Sequence, residues 1–222
     1  MPDSTGVRTM DASFHALLEA DTNATFISDA LRVDAPLPPG PSLVPVERYT
    51  SRKYHDLEVE RLWKKCWQVA AHEDDFPNVG DVVPYDIANL SFLIVRAGEN
   101  EYKAYYNACL HRARKLRESR GTALTELRCP FHGWAWNLNG SLKQIPCAYD
   151  YAGLKKEDEA LPEVKLERWG RFIFINPDPD CDSLASHLGD LDSHFELLPY
   201  DKRYKAAHVG KVIKANWKVV QD

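Results

Sequence analysis

The chain has no apolar run long enough to span a membrane, and its N-terminus lacks the charged-then-apolar profile of a signal peptide. A membrane or secreted reading therefore finds no support in the residues, and the expected location is cytoplasmic. Charge of one sign is scarce too: 33 acidic against 28 basic residues leave a formal net charge of −5. So mild an imbalance gives no reason to expect nucleic acid or a membrane surface as partner. Cysteine is sparse, five in 222 residues, and three of them, Cys66, Cys147 and Cys181, follow no ligand spacing. They read as ordinary thiols in a reducing compartment. There is no internal repeat and no low-complexity tract. Six of the eight histidines, His15, His55, His72, His187, His194 and His208, are scattered without a paired motif and do not outline a metal site. With 44% hydrophobic residues, the chain can build one substantial core with appendages.

The remaining cysteines and histidines fall into two short clusters, Cys109-Leu110-His111 and Cys129-Pro130-Phe131-His132-Gly133-Trp134, giving C-x-H-x17-C-x2-H. Two thiolates and two imidazoles suit either one tetrahedral zinc or a [2Fe-2S] cluster in which two His replace two Cys on one iron. Ligand order separates the two. Zinc fingers pair Cys with Cys and His with His, whereas each loop here supplies one of each. Two such loops suit a dinuclear centre, with Cys109 and Cys129 on an inner iron and His111 and His132 on an outer one.

These residues resemble the Rieske [2Fe-2S] family. The likeness extends to Asn107 before the first loop, His111-Arg112 within it, and Asn139-Gly140-Ser141-Leu142 as the turn after the second. Rieske proteins of respiratory and photosynthetic cytochrome complexes carry an extra Cys in each loop and a Ser after the second His-Gly. Arg114, Phe131 and Trp134 stand at the matching places. The resemblance is thus to the large or α subunit of Rieske ring-hydroxylating oxygenases. Loss of a hydroxyl near cluster sulfur implies a potential toward the low end of the roughly −150 to +300 mV such centres span. One departure stands in the first loop, where Ala113 replaces the usual Gly after His-Arg and implies a backbone that accepts a β-carbon.

The predicted fold is mainly β, a Rieske-type antiparallel sandwich with cluster loops at hairpin tips, an N-terminal helical appendage and the beginning of an α+β catalytic domain. Residues 1–45 read as an appendage with a weakly amphipathic stretch, 14–31, and a Pro-rich linker; 46–180 as the Rieske domain; 181–222 as a connecting helix and the start of the catalytic domain. Thr50 or Ser51 is expected to cap a helix to about Lys65. Strands are expected at 67–72, 82–87, 92–96 and 102–107, with a hairpin turn at 97–100. Residues 149–165 read as a wrapping loop with a short helix, 169–176 as a strand, 183–198 as helical and 209–220 as a further strand.

Asn216-Trp217-Lys218 resembles the opening of the oxygenase catalytic domain, so the bridging Asp and the two His that hold mononuclear iron with a carboxylate are expected beyond residue 222. What the resemblance implies is an electron relay, from a reductase or ferredoxin to that iron, in an O2-dependent oxygenase acting on an aromatic or similar small substrate. It also implies a homotrimer with electron transfer between neighbours. No catalytic residue is expected in this chain. The alternatives are a stand-alone Rieske-type ferredoxin and a structural zinc module. Arg112, Arg114, Lys115, Arg117 and Arg120 form a basic run that reads as a solvated loop or as a docking rim for an acidic donor. Trp134 and Trp136 read equally as cluster shields and as strand packing.

Overall fold

In a computed structural model of the chain, residues 44–221 are described together with residues 7, 8, 16, 19, 20, 35 and 36. Most of the predicted stretch 14–31 and of the Pro-rich linker lies outside them. The chain divides into two compact units, Met1–Ser51 with Ala215–Asp222, and Arg52–Lys214. In the first, β1 (Val7–Arg8) pairs antiparallel with β2 (Ala35–Pro36), and short helices span Glu47–Thr50 and Trp217–Gln221. The Asn216 side chain donates to Tyr49 O at 3.1 Å, and Lys218 lies 5.5 Å from the centre of the Tyr49 ring. The strand predicted over 209–220 is not formed. Residues 209–214 have no ladder partner among the described residues, and the segment ends as helix.

The second unit opens on Arg52–Glu58, which continues as a π-helical turn, Val59–Trp63. Ser51 is extended (φ −80°, ψ 128°) and directly precedes Arg52, so the helix begins where the sequence places its start. Six antiparallel strands follow: β3 (Gln68–His72), β4 (Val82–Ile87), β5 (Leu90–Arg96), β6 (Tyr102–Tyr106), β10 (Glu163–Trp169) and β11 (Phe172–Asn176). They run in the order β3-β11-β10-β6-β5-β4. The two edges approach each other, since Tyr85 Oη on β4 donates to Gln68 Oε1 on β3 at 3.1 Å. The sheet is nearly a barrel.

At β5 both faces of this sheet are buried, which explains its apolar run Phe92-Leu93-Ile94-Val95. Phe92 and Ile94 point inward with Phe76, Ala104, Val164, Ile173 and Ile175. Leu93 and Val95 point the other way, onto a core shared with Leu127, Trp134, Trp136 and Leu142. That outer core lies beneath a three-stranded sheet of β7 (Leu127–Arg128), β8 (Ala135–Trp136) and β9 (Leu142–Gln144). Over β11, Trp67, Phe174 and Leu184 make a smaller cluster under the helix Leu184–Leu188, whose Ser183 cap accepts from Ser186 N at 3.2 Å.

The predicted strand 169–176 takes in the last residue of one strand, a turn and the whole of the next. Trp169 pairs with Phe172 across Gly170 and Arg171, both at positive φ (54° and 71°), the geometry of a two-residue hairpin turn. The first arm, Glu163–Trp169, alternates apolar and charged residues because only one face is covered, so its charge made it read as loop. Helical residues 183–198 likewise form two short helices, Leu184–Leu188 and Leu191–His194, parted at Gly189 (φ 55°).

Candidate metal centre

The two loops that carry the Cys/His clusters share one backbone design. In the first, Ala113 N donates to Cys109 O at 2.8 Å and Cys109 N to Arg114 O at 2.9 Å. In the second, Gly133 N donates to Cys129 O at 3.2 Å and Cys129 N to Trp134 O at 2.8 Å. Ala113 (φ 56°) and Gly133 (φ 76°) occupy the same left-handed position. The sequence departure at Ala113 is therefore a residue with a β-carbon held in a conformation that favours glycine.

The loops are held differently. The second is the tip of the β7–β8 hairpin, closed by Leu127–Trp136 and Arg128–Ala135 pairs. Arg128 braces it by donating to Gly133 O at 2.9 Å and to Glu126 at 2.6 Å. The first is not a hairpin tip, since it carries the chain from β6 of the large sheet towards β7 of the small one. Asn107 does the work of a ladder there. Its buried side chain accepts from Leu116 N (2.9 Å) and Arg117 N (3.1 Å) and donates to Arg117 O (2.7 Å) and Ser91 Oγ (3.0 Å).

The four predicted ligands come together between these loops as two pairs. Cys109 and Cys129 are buried, 3% and 2% exposed, with their side chains within hydrogen-bonding reach of each other. Burial pushes the Cys109 thiol up. The backbone N–H groups of His111 and Arg112, aimed at its sulfur, act in the opposite sense, while Cys129 adds to the rise. The His111 and His132 rings are 4.6 Å apart. Burial, the His132 ring and the Arg112 guanidinium hold the His111 imidazole below its ordinary range, which favours the neutral, ligating form. His111 Nδ1 is buried and has no hydrogen-bond partner among the described residues. A buried ring nitrogen in that state is what an imidazole awaiting a metal presents.

No group of three or more His, Cys, Asp or Glu among the described residues is disposed to hold a single metal ion. A tetrahedral zinc needs four donors about one point, whereas a dinuclear cluster needs two donors at each iron. Two buried thiols on one side and two adjacent imidazoles on the other fit the second arrangement.

The surroundings resolve several open sequence readings. Trp134 is buried and stacks on the His111 ring at 5.4 Å and 5°, so it covers the centre as well as packing the core. Trp136 is wholly buried and donates its indole N–H to Glu159 O at 2.9 Å, so it belongs to the packing. In the basic run, Arg114 pairs with Glu118 (2.7 Å), Lys115 with Asp86 (2.9 Å) and Arg120 with Asp75 (2.8 Å). Arg117 is turned onto the backbone of Ser119 and Arg120. Arg112 stays exposed. Most of this charge is thus matched within the chain. Cys147 is exposed, and Cys66 and Cys181 are partly buried. A residue the sequence did not single out is Tyr151, whose hydroxyl lies 3.4 Å from His111 Nε2. Its one sequence signal is an aromatic in an otherwise polar, acidic stretch. Among the described residues no helix is long and apolar enough to cross a membrane.

Comparison with known proteins matches residues 66–157 to the Rieske [2Fe-2S] domain. Over 181 residues the chain is 32% identical to the carnitine monooxygenase oxygenase subunit of Escherichia coli (strain K12), covering 81% of this chain and 48% of that protein. A solved quaternary ammonium Rieske monooxygenase superposes with a TM-score of 0.72 at 27% identity, covering 80% of this chain and 50% of that one. Naphthalene 1,2-dioxygenase from Rhodococcus sp. gives a TM-score of 0.63 at 36% identity, over 69% of this chain and 35% of that one. The chain spans about half the length of the curated relatives it matches.

Proposed function

The chain belongs to the Rieske [2Fe-2S] oxygenase family, and from that premise we propose that Cys109, His111, Cys129 and His132 hold a [2Fe-2S] cluster serving as the electron relay of an oxygenase. What carries the reading is one observation: two buried thiols and two adjacent imidazoles on loops of matching backbone, with His111 Nδ1 without a partner among the described residues. When bound, the cluster supplies reversible one-electron storage. The chain's own residues do the rest. Cys109 and Cys129 bind through sulfur from the buried side, and His111 and His132 through ring nitrogen from the outer side. N–H groups of His111 and Arg112 aimed at Cys109 sulfur stabilise its anionic form. Trp134 excludes water from one face of His111. Asn107 holds the shape of the first loop and Arg128 that of the second.

In the proposed whole enzyme, a reductase or ferredoxin supplies electrons, and the relay delivers them to a mononuclear iron in a further domain, where O2 oxidises a small organic molecule. The substrate class is proposed no more narrowly than this. One relative is named for carnitine and another for naphthalene, so ring hydroxylation is one of two classes that the similarities support. Against a stand-alone ferredoxin, the likeness to an oxygenase subunit covers 181 residues, well past the domain at 66–157. A homotrimer passing electrons between neighbours, and a functional division at residues 46–180, complete the proposal.

Single replacement of each proposed ligand tests the assignment. Cys109→Ser, His111→Ala, Cys129→Ser and His132→Ala should each abolish bound iron and sulfide after anaerobic reconstitution, while Cys147→Ser should keep both. Equal loss from Cys147→Ser would contradict the ligand set.

A further inference from the structure

Residues 146–154 pass close to both loops. Pro146 lies against Gly133, where an added β-carbon would meet Pro146 Cγ at 3.2 Å. Cys147 takes a left-handed backbone (φ 55°, ψ 42°) and turns the chain into a short 3-10 helix, Ala148–Asp150. Tyr151 follows, fixed on both sides by Tyr151 N to Ala148 O and Leu154 N to Tyr151 O, each 3.1 Å. Its half-buried ring meets Trp134 edge-on at 5.3 Å and 83°, and His111 at 6.1 Å and 87°. His111 is thus bounded by Trp134 on its face, His132 at its edge and Tyr151 at its Nε2.

We propose that Tyr151 is a positioning residue for the cluster: its hydroxyl engages His111 Nε2 while its ring, braced on Trp134, sets the imidazole plane so that Nδ1 is the nitrogen presented to iron. The inference rests on the ligand reading above and extends it to a residue that binds no metal. A neutral imidazole has one N–H, and when Nδ1 donates to a metal that proton resides on Nε2. Tyr151 Oη is then the acceptor. An imidazole whose free N–H is accepted becomes a stronger donor and favours the more positive, oxidised iron. At 3.4 Å the contact is long for a hydrogen bond, so its electronic effect is small and orientation is its larger part. His132 has a different neighbour, the Phe131 ring at 3.8 Å, which offers no comparable acceptor. The effect of Tyr151 is therefore confined to one of the two imidazoles.

The test compares Tyr151→Phe and Tyr151→Leu with wild type in the full chain, reconstituted anaerobically, for iron and sulfide, midpoint potential and nitrogen hyperfine couplings by pulsed electron paramagnetic resonance. Tyr151→Phe should retain the cluster, raise the midpoint and alter one of two nitrogen couplings. Tyr151→Leu, which also removes the ring, should in addition lose iron faster on exposure to a chelator. Unchanged midpoint and couplings in Tyr151→Phe, or wild-type chelator resistance in Tyr151→Leu, overturns the proposal and leaves the ligand reading intact. A wild-type chain that takes up no cluster overturns the ligand reading itself and the proposal with it.

Discussion

Ala113 and Gly133 do the same work with different residues. Each closes its loop at positive φ, and at Gly133 an added β-carbon would also meet Pro146 Cγ. Gly133→Ala should therefore destabilise the fold by about 1–3 kcal/mol, combining left-handed strain with the Pro146 contact. Ala113→Gly relieves similar strain but gives the unfolded chain more freedom, so its net effect should stay within about 1 kcal/mol. Urea denaturation of the two variants measures both, and a neutral Gly133→Ala would contradict the account. The proposed ligands could be singled out in the sequence, since a spacing of thiols and imidazoles is a local pattern. Tyr151 was not, because its proximity to His111 depends on a left-handed turn at Cys147 that no residue type there signals. The basic run stayed open between two readings for the same reason. Its partners, Asp75 and Asp86, are distant in sequence, and only folding reveals that they match its charge.

At the scale of elements, the first loop depends on a side chain where the second depends on a ladder. Asn107 is buried and makes four hydrogen bonds that no backbone pairing replaces. Asn107→Ala should cost roughly 2–4 kcal/mol, because it leaves buried backbone groups of the loop unpaired. Thermal denaturation of the apo chain checks this, and a loss below about 1 kcal/mol would show that the loop is held by other contacts. The continuous apolar strand β5 was readable because both its faces are covered. The β10–β11 hairpin was only half readable, its first arm covered on one face and charged on the other. A strand predicted from apolar residues alone failed over 209–220, where no ladder partner exists among the described residues. Strand propensity describes a surface that fits a sheet and cannot create the sheet.

Across the larger unit, acidic residues fasten the segment after the last helices onto the barrel. Asp74 accepts from Lys205 N at 2.7 Å, and Asp75 pairs with Lys205 Nζ and Arg120. The Lys205 N–H, with Arg171 and His72, holds Asp74 below its ordinary range against the effect of burial. At Asp75 burial acts upward, but Lys205, the His72 N–H and Arg120 outweigh it, and the net shift is down. A depressed folded pKa gives stability that is complete above the unfolded value of about 3.9 and is lost as pH falls through the folded one. Hydrogen exchange at the Lys205 amide should therefore accelerate below about pH 4, before that of β5. Uniform loss of protection in both places would contradict a local acid release.

The central claim is that this chain holds a dinuclear cluster and not a single zinc. The most direct test is iron and acid-labile sulfide content together with electron paramagnetic resonance of the dithionite-reduced chain, purified without oxygen. Iron and sulfide in equal amounts, two of each per chain as a [2Fe-2S] centre requires, with an average g below the free-electron value, is the predicted result. Zinc without sulfide, and no signal on reduction, would contradict it.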